Sequence, residues 1–331
     1  MVSEQRLYNF GSSRKLRFLL IIGVSTNLTK LLITGCSGQV GRFIIRKLVS
    51  EGIDFSGLDI NFNQNIPDID FFEIDLTKKF HLKEIKTRLE EYNTVLHLAS
   101  YTDAYRDVTK YGIPSIDLNI TGTLNLLEFL PNLEHFCFAS SYLVYGKPNS
   151  NLVSEVHRTE PVNIYGSSKL IMEKFLQVYA KKKCISLGIL RFMGIYGLEN
   201  PYALQAIPLF IKAVAQNQTP MVYGDGKARR NHIHIDDAVN AFFAWLKEKK
   251  NGIFNIGGPE TVNNIELINL ITQYMKKKIE FTFKDSEQEQ YDFISDISKS
   301  QKDLGFIPTI GIKDGIRKAI STYTQVEKNH V

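Results

Sequence analysis

The sequence predicts an α/β fold in which a doubly wound parallel sheet carries a smaller, interleaved C-terminal lobe. From residue 30 onward, short apolar runs alternate with helical patterns, as expected when strands are covered on both faces. A glycine-rich loop follows the first apolar run and opens directly into an amphipathic pattern. The chain has 331 residues, 44% of them hydrophobic, and so can bury the core of such a sheet.

Six short apolar runs predict the strands of the main sheet. They are Leu31 to Thr34, Phe55 to Leu58, Phe71 to Ile74, Thr94 to Leu98, His135 to Ala139 and Ser186 to Arg191. Periodicity of 3.6 residues between them predicts helices such as Val40 to Glu51 and Ile120 to Leu130.

Beyond Tyr196 the alternation loosens, which predicts a second, smaller lobe. The elements predicted there are a helix over Leu204 to Gln216, a short strand over His232 to Ile235, a helix from Asp236 to Lys249 with Asp236 as its N-cap, and a returning strand over Ile253 to Ile256.

We therefore expect one domain over residues 30–195, completed by the return of residues 232–257, and an interleaved lobe over residues 196–331. Residues 1–29 are interpreted as an N-terminal extension. Its apolar run, Phe18 to Val24, is far shorter than the roughly 20 residues that span a bilayer. The sequence thus predicts no integral membrane segment.

Charge and cysteine content narrow the class of protein further. The net charge of +5 comes from 40 basic and 35 acidic residues. They are spread along the chain, so nucleic-acid binding is not indicated. Cys36, Cys137 and Cys184 lie far apart without a CxxC pair, which fits a reducing compartment and predicts a cytoplasmic protein.

His232 and His234 alternate along a predicted strand just before Asp236 and so could share one face. A zinc site needs further ligands, and the sequence offers none at suitable spacing. We predict no metal site and expect these histidines to pack at the junction of the two lobes.

The loop after the first strand has the spacing of a phosphate-binding turn. Gly35, Gly38 and Gly41 form a GxxGxxG pattern that includes Gln39 and Val40. The first glycine permits the tight turn, the second lets backbone N–H groups approach a pyrophosphate, and the third allows close packing of helix on strand. This pattern predicts a dinucleotide cofactor and a Rossmann-type sheet.

Asp59 stands 18 residues past Gly41, at the end of the second predicted strand. A carboxylate there accepts hydrogen bonds from both hydroxyls of the adenosine ribose and repels a 2′-phosphate. NAD is therefore the predicted cofactor. NADP stays open, because Arg42 lies close to the phosphate region.

Tyr165 and Lys169 begin a predicted helix in the sequence YGSSK, and their i,i+4 spacing places them on one helical face. An ammonium this close is expected to lower the pKa of the phenol, so that the tyrosine exchanges a proton with a substrate hydroxyl. Ser141 follows an apolar strand 24 residues earlier and can hydrogen-bond the reacting oxygen.

Taken together, the motifs resemble those of the extended short-chain dehydrogenases, the NAD-dependent epimerase/dehydratase family that acts mostly on nucleotide sugars. The matching elements are TGCSGQVG at 34–41, Asp75-Leu76, His97-Leu98-Ala99, NITGT at 119–123, Ser140-Ser141, YGSSK at 165–169, LRF at 190–192, GDG at 224–226, NIGG at 255–258 and DISK at 296–299.

This resemblance implies a catalytic triad of Ser141, Tyr165 and Lys169. It also implies that Asp75 and Leu76 border the adenine and that Leu98 and Ala99 line the cofactor site. The C-terminal lobe would hold a nucleoside diphosphate sugar, with Arg230 clamping the diphosphate, and Thr102 would contact the substrate. The resemblance further implies a homodimer formed through paired helices, including the one that carries Tyr165.

Departures from the family pattern bear on the substrate and the reaction. Gly194 stands where the family often has an Asn that holds the sugar or diphosphate, and Tyr291 and Asp292 stand where many members have an Arg. Dehydratases carry Asp-Glu after the catalytic hydroxyl, whereas this chain has Tyr142 and Leu143, so dehydration is not expected.

Three functions stay open on this basis. The first is a 4-epimerase that acts through a transient keto intermediate and needs no net cofactor. The second is a 4-keto-6-deoxysugar reductase that consumes NADH or NADPH. The third is a non-catalytic NAD-binding sensor or scaffold, although such proteins usually lose the Tyr or Lys that this chain keeps.

Overall fold

Seven parallel strands form the central sheet of the computed structural model. The structure describes residues 30–62, 67–102, 108–199, 205–286 and 290–329. The extension at residues 1–29 lies outside this range. The strand order in the sheet is β11-β7-β5-β4-β1-β2-β3, and every neighbouring pair is parallel.

The strands are β1 (Leu31–Thr34), β2 (Ser56–Asp59), β3 (Asp70–Glu73), β4 (Thr94–His97), β5 (His135–Ser141), β6 (Leu152–Val153), β7 (Ser186–Phe192), β8 (Ile195–Tyr196), β9 (Met221–Tyr223), β10 (Ile233–His234), β11 (Gly252–Ile256), β12 (Thr282–Lys284) and β13 (Ile294–Ser295).

The helices are α1 (Gln39–Glu51), α2 (Lys79–Glu84), α3 (Lys86–Leu89), α4 (Val108–Ile116), α5 (Thr123–Glu128), α6 (Ile164–Lys183), α7 (Ala206–Ala215), α8 (Ile235–Glu248), α9 (Asn264–Tyr274), α10 (Ser298–Leu304) and α11 (Ile312–Asn329). A π-helix (Asp117–Gly122) joins α4 to α5, and a 3₁₀ turn (Tyr142–Val144) follows β5.

Helices cover both faces of the sheet, as the apolar strands predicted. On one face α1 and α8 bury side chains such as Leu48 and Trp245 against the strands. On the other face α5 and α6 contribute Leu126, Met172 and Leu176. Residues of β1 lie centrally and are almost fully buried, because the strand has neighbours on both sides.

The order of the strands reverses at β1, which pairs with β2 on one side and with β4 on the other. The loops leaving β1 and β4 therefore diverge at the carboxyl end of the sheet and open a crevice there. In doubly wound sheets this switch point is where ligands bind.

A third hydrophobic core lies outside the main sheet. It packs apolar residues of α7, α9 and α11 around Val222 of β9. Two short parallel pairs, β8 with β10 and β6 with β13, lie outside the main sheet. In each pair one strand comes from residues 152–196 and the other from residues 233–295.

Several predicted elements are confirmed, and some bounds are corrected. The returning strand β11 joins the main sheet beside β7. The predicted strand over 232–235 is only Ile233–His234 and lies outside that sheet. The prediction of Asp236 as N-cap is wrong, because His234 caps α8 through its Nδ1, which accepts from the Asp236 N–H at 3.2 Å. Asp236 instead lies in the first turn and binds Lys318 at 2.9 Å.

Candidate active site

The glycine loop is a bare backbone cradle. Gly35 has φ +68°, and a Cβ there would lie 2.5 Å from the backbone nitrogen of Ala99. A Cβ at Gly41 would lie 2.4 Å from the carbonyl oxygen of Gly35. Gly38 caps α1, whose first turn contains Gln39 and Val40 and no acidic residue. The exposed N–H groups at this helix start and its dipole fit a pyrophosphate.

Asp59 is held against this loop. Its carboxylate accepts from the Ser37 N–H at 2.9 Å and from the Ile60 N–H at 2.7 Å. Burial raises the pKa of Asp59, and the two N–H groups act against that rise. A partly accessible carboxylate beside the cradle fits the hydroxyls of a cofactor ribose.

Arg42, which kept NADP open, is already engaged. Its guanidinium is buried, lies 3.2 Å from Glu199 and donates to the Gln39 side chain at 3.1 Å. Arg46 shares the same Glu199 carboxylate. Because the Arg42 guanidinium already pairs with a protein carboxylate, this arrangement favours NAD over a cofactor with a 2′-phosphate.

The predicted adenine-side residues lie next to these groups. The Leu98 N–H donates to the Thr34 carbonyl at 3.1 Å, and Ala99 packs on Gly35. The Ile74 N–H donates to the Asp59 carbonyl at 2.7 Å. This bond holds the next two residues of the chain, Asp75 and Leu76, close to Asp59. The Asp75 carboxylate accepts from the Thr77 N–H and hydroxyl at 2.9 and 2.7 Å, and Leu76 is buried.

Ser141 ends β5 and begins the 3₁₀ turn. Its Oγ accepts from the Leu143 N–H at 3.3 Å. Helix α6 starts against this same turn, because a Cβ at Gly166 would lie only 2.4 Å from the Leu143 carbonyl oxygen. Asn163 caps α6 by accepting from the Gly166 N–H at 2.8 Å. These contacts bring the helix carrying Tyr165 to the end of the strand carrying Ser141.

Tyr165 and Lys169 share a face of α6, as their spacing predicted. The Lys169 Nζ lies 5.6 Å from the centre of the Tyr165 ring and 4.7 Å from that of Phe138. Lys169 is almost fully buried, whereas Tyr165 keeps some accessible surface. The lysine is therefore enclosed by protein, whereas the tyrosine can still be reached by a ligand.

The expectation that Lys169 lowers the pKa of Tyr165 is wrong for the protein by itself. Burial raises the pKa of the tyrosine to about 12 and lowers the pKa of the lysine to about 7. Each group loses hydration in its charged form, and at this position that loss outweighs their mutual attraction.

Glu173, one turn beyond Lys169, is a site residue that the sequence analysis missed. Its carboxylate accepts from the Ser140 hydroxyl at 2.5 Å and from Arg191 Nε and Nη2 at 3.0 and 2.6 Å. Glu173 and Arg191 are buried, and the negative charge acts to raise the pKa of Lys169. The i,i+4 spacing from Lys169 was the available signal.

Asn119 is a second buried polar residue of the site, and the sequence indicated it only as part of the NITGT motif. Its amide oxygen accepts from the Ser100 hydroxyl at 3.1 Å and the Tyr101 N–H at 2.7 Å, and its nitrogen donates to Ser168 at 2.9 Å. It lies in the π-helix, a distortion that recurs at functional sites. Asn119 thus connects the loop after β4 to helix α6.

Arg230 lies in the segment before β10 and is held by Tyr291. Its guanidinium stacks 5.3 Å from the Tyr291 ring centre and donates to the Tyr291 carbonyl. Its charge opposes the rise that burial causes in the pKa of Tyr142, so Arg230 lies near the turn after Ser141. Thr102 is exposed on the loop that Asn119 holds.

Among the described residues, no helix is long and apolar enough to cross a membrane. No group of three or more His, Cys, Asp or Glu side chains in that part of the chain could hold a metal ion.

A glycine cradle at a sheet switch point, with a Tyr-Lys pair beside it, defines a dinucleotide-dependent enzyme of the dehydrogenase type. The model of the NAD-dependent epimerase/dehydratase family matches residues 31–257. This chain belongs to that family, which confirms the resemblance seen in the motifs.

The chain is similar to proteins with named activities. A putative UDP-glucose 4-epimerase of Methanocaldococcus jannaschii is 32% identical over 88% of this chain and 97% of its own length. A dTDP-4-dehydro-6-deoxyglucose reductase of Escherichia coli is 29% identical over 88% and 96%. The UDP-glucuronic acid 4-epimerase of Bacillus cereus, solved with UDP-glucuronic acid and NAD, is 26% identical with a TM-score of 0.80, over 90% of this chain and 100% of its own.

The cradle can be tested with two glycines of the same segment. Gly35→Ala is expected to weaken NAD binding at least 100-fold, because the methyl group would meet the backbone of Ala99 and distort the loop. Gly52→Ala is the matched control, since Gly52 also has φ +68° but has open space around its Cβ position. It should cost about 1 kcal/mol of stability and leave NAD affinity unchanged. Calorimetric titration would measure the NAD affinity of both variants. An equal loss of NAD affinity in the two variants would contradict the role of the glycine loop in cofactor binding.

Proposed function

We propose that this chain is an NAD-dependent nucleotide-sugar 4-epimerase that acts through a transient keto intermediate. The proposal is supported by the packing of helix α6, which carries Tyr165 and Lys169, against the turn after Ser141, and by the nearness of Arg230 to that turn. The similar proteins of M. jannaschii and B. cereus, both named as 4-epimerases, support it.

In this mechanism Tyr165 is the proton carrier and Ser141 the positioning donor. The phenolate of Tyr165 takes the proton of the 4-hydroxyl, the C4 hydrogen leaves as a hydride that the bound NAD would accept, and a C4=O double bond forms. The keto sugar then presents its opposite face, the hydride returns to C4, and Tyr165 gives the proton back. The Ser141 hydroxyl hydrogen-bonds the reacting oxygen throughout.

NAD, when bound, supplies reversible hydride transfer, and its oxidised ring adds a positive charge that favours the phenolate. Gly35, Gly38 and Gly41 would hold its pyrophosphate and Asp59 its adenosine ribose. Lys169 would bind the nicotinamide ribose and stabilise the Tyr165 phenolate. Burial raises the pKa of Tyr165 to about 12, and the positive charges of Lys169 and of the bound cofactor would both act in the opposite direction.

The division of labour follows the chain. We assign residues 30–195, with the return of 232–257, to cofactor binding, and residues 196–331 to binding of the nucleoside diphosphate sugar, with Arg230 on the diphosphate and Thr102 at the rim. A cytoplasmic location is part of this proposal, because the three cysteines are unpaired.

A 4-keto-sugar reductase is the second candidate, favoured by the similarity to the E. coli reductase. Incubation with UDP-, dTDP-, GDP- and CDP-sugars, and with a nucleotide 4-keto sugar, separates the two. An epimerase changes product configuration at constant absorbance of reduced nicotinamide. Stoichiometric loss of that absorbance with the keto sugar would establish the reductase instead.

The role of Tyr165 has a control on the same helix. Tyr165→Phe is expected to lower kcat by a factor of about 100 to 10,000, with NAD affinity within about threefold, because only the proton carrier is lost. Tyr179→Phe removes a hydroxyl that bonds the Leu127 carbonyl at 3.4 Å and should leave kcat unchanged. Steady-state kinetics would decide, and an active Tyr165→Phe enzyme would refute the mechanism.

Glu173 should set the pH range of the enzyme. Burial lowers the pKa of Lys169 to about 7 and Glu173 opposes this, so Glu173→Gln lowers it further. Lys169 is cationic below its pKa, and the mechanism needs that cation. The fall of kcat/KM at alkaline pH should therefore begin at a lower pH in the Glu173→Gln variant. Because Arg191 would then be buried unpaired, at a cost of about 3–5 kcal/mol, Glu173→Gln/Arg191→Met should keep the shift and regain stability. An unshifted alkaline limb in both variants would contradict this role.

A homodimer is the proposed assembly. Ile171, Phe175 and Val178 lie on one exposed face of α6, at i, i+4 and i+7. Ile113 and Ile116 of the adjoining α4 are also exposed. Contiguous apolar faces of this kind mark association sites, and pairing α4 and α6 with their copies would build a four-helix contact.

Charge placed on that face should separate the subunits. Phe175→Glu/Val178→Glu is expected to give a monomer, because two carboxylates would be buried without partners. Ile307→Glu, at a residue that is 65% exposed elsewhere on the surface, should leave the assembly intact. Analytical ultracentrifugation distinguishes the species, and a monomeric unmodified protein would disprove the dimer.

A further inference from the structure

Gly194 and His232 share one small volume at the carboxyl end of the sheet. Gly194 lies two residues beyond β7, whose last residue, Phe192, is in register with Ser141. A Cβ at Gly194 would lie 2.8 Å from His232 Nδ1 and 3.3 Å from Cε1. The imidazole therefore fills the space that a side chain at position 194 would take.

His232 and Arg230 are two residues apart in an extended segment, so their side chains point to the same side. Between them, the Asn231 side chain exchanges two hydrogen bonds, each 3.0 Å, with the backbone of Ser295 and is buried on the other face. Alternation along an extended segment then puts Arg230 and His232 on one side, roughly 6–7 Å apart.

That side is close to the turn after Ser141. The Arg230 charge acts on both His232 and Tyr142, which immediately follows Ser141. His232 and Tyr142 are half-buried, so each keeps accessible surface. His232 thus lies near the end of the catalytic strand with part of its surface open to a ligand.

The ring is a neutral hydrogen-bonding group there. Burial, with Arg230 as a second cause, lowers the pKa of His232 to about 4. The Gly194 backbone acts against this shift. A neutral imidazole keeps one acceptor nitrogen, whichever of its two nitrogens carries the proton. An acceptor suits a sugar hydroxyl and does not suit a phosphate oxygen.

His234 shows the contrast. Its Nδ1 caps α8, and its ring packs edge-on against Tyr196 with centroids 5.3 Å apart. This histidine fits the expected packing between the two lobes. The two histidines of the motif therefore have different surroundings, and only His232 borders the catalytic turn.

We propose that His232 is a specificity-determining residue that accepts a hydrogen bond from a hydroxyl of the sugar, while Arg230 binds the diphosphate. The inference rests on the proposed function, since it assumes a nucleoside diphosphate sugar in the crevice. The glycine at 194 makes room for the imidazole, so the recognition group comes from the segment before β10 rather than from the strand end.

The test compares a ligand that has a hexose with one that lacks it. In NAD-loaded protein, His232→Leu should raise the Kd of UDP-glucose about 5- to 10-fold, the loss expected for one hydrogen bond, and change the Kd of UDP less than twofold. His232→Gln, which keeps an acceptor, should recover part of the loss. His234→Gln is the control and should lower the melting temperature without changing the ratio of the two Kd values.

A second variant approaches the same volume from the strand. Gly194→Ala should displace the imidazole and weaken UDP-glucose selectively in the wild-type background, and should have little further effect beside His232→Leu. Equal weakening of UDP and UDP-glucose by His232→Leu, or no change in either, would overturn the inference while leaving the epimerase proposal intact. If the unmodified protein bound none of the nucleotide sugars in the panel, the proposed function would fail, and this inference with it.

Discussion

The site depends on a buried carboxylate that ties three elements together. Glu173 of α6 accepts from Ser140 of β5 and from Arg191 of β7. Helix α6 carries Tyr165 and Lys169, β5 carries Ser141, and β7 leads to the crevice wall. Buried ion pairs add little net stability, because desolvation offsets their attraction, but a broken pair is costly. The pair therefore constrains geometry: a shift of α6 against the sheet would leave a charge unpaired.

Close backbone packing completes this constraint. Helix α6 meets the turn after Ser141 at Gly166, and β4 meets the glycine loop at Gly35. In both places an added methyl group would lie only 2.4–2.5 Å from a backbone atom, so the two elements would have to move apart. The cofactor cradle and the proton-transfer residues are thus held to one sheet edge by contacts that leave no room for side chains.

Charge in the site is arranged by burial as much as by partners. The pKa of Lys169 falls to about 7 and that of Tyr165 rises to about 12, so the protein alone disfavours both charged forms. Glu173 favours the ammonium, and a cationic cofactor ring would favour the phenolate.

The sequence alone determined the parallel sheet, the glycine loop, the position of Asp59 and the pairing of Tyr165 with Lys169. These features follow from local rules, such as hydrophobic period, i,i+4 spacing and the turn that glycine permits. Only the tertiary structure decided that Glu199 engages Arg42, that Glu173 holds Ser140, and that His232 fills the space at Gly194. It also reversed the expected pKa of Tyr165. Those outcomes depend on desolvation and on contacts between residues distant in the chain, which spacing along the sequence does not encode.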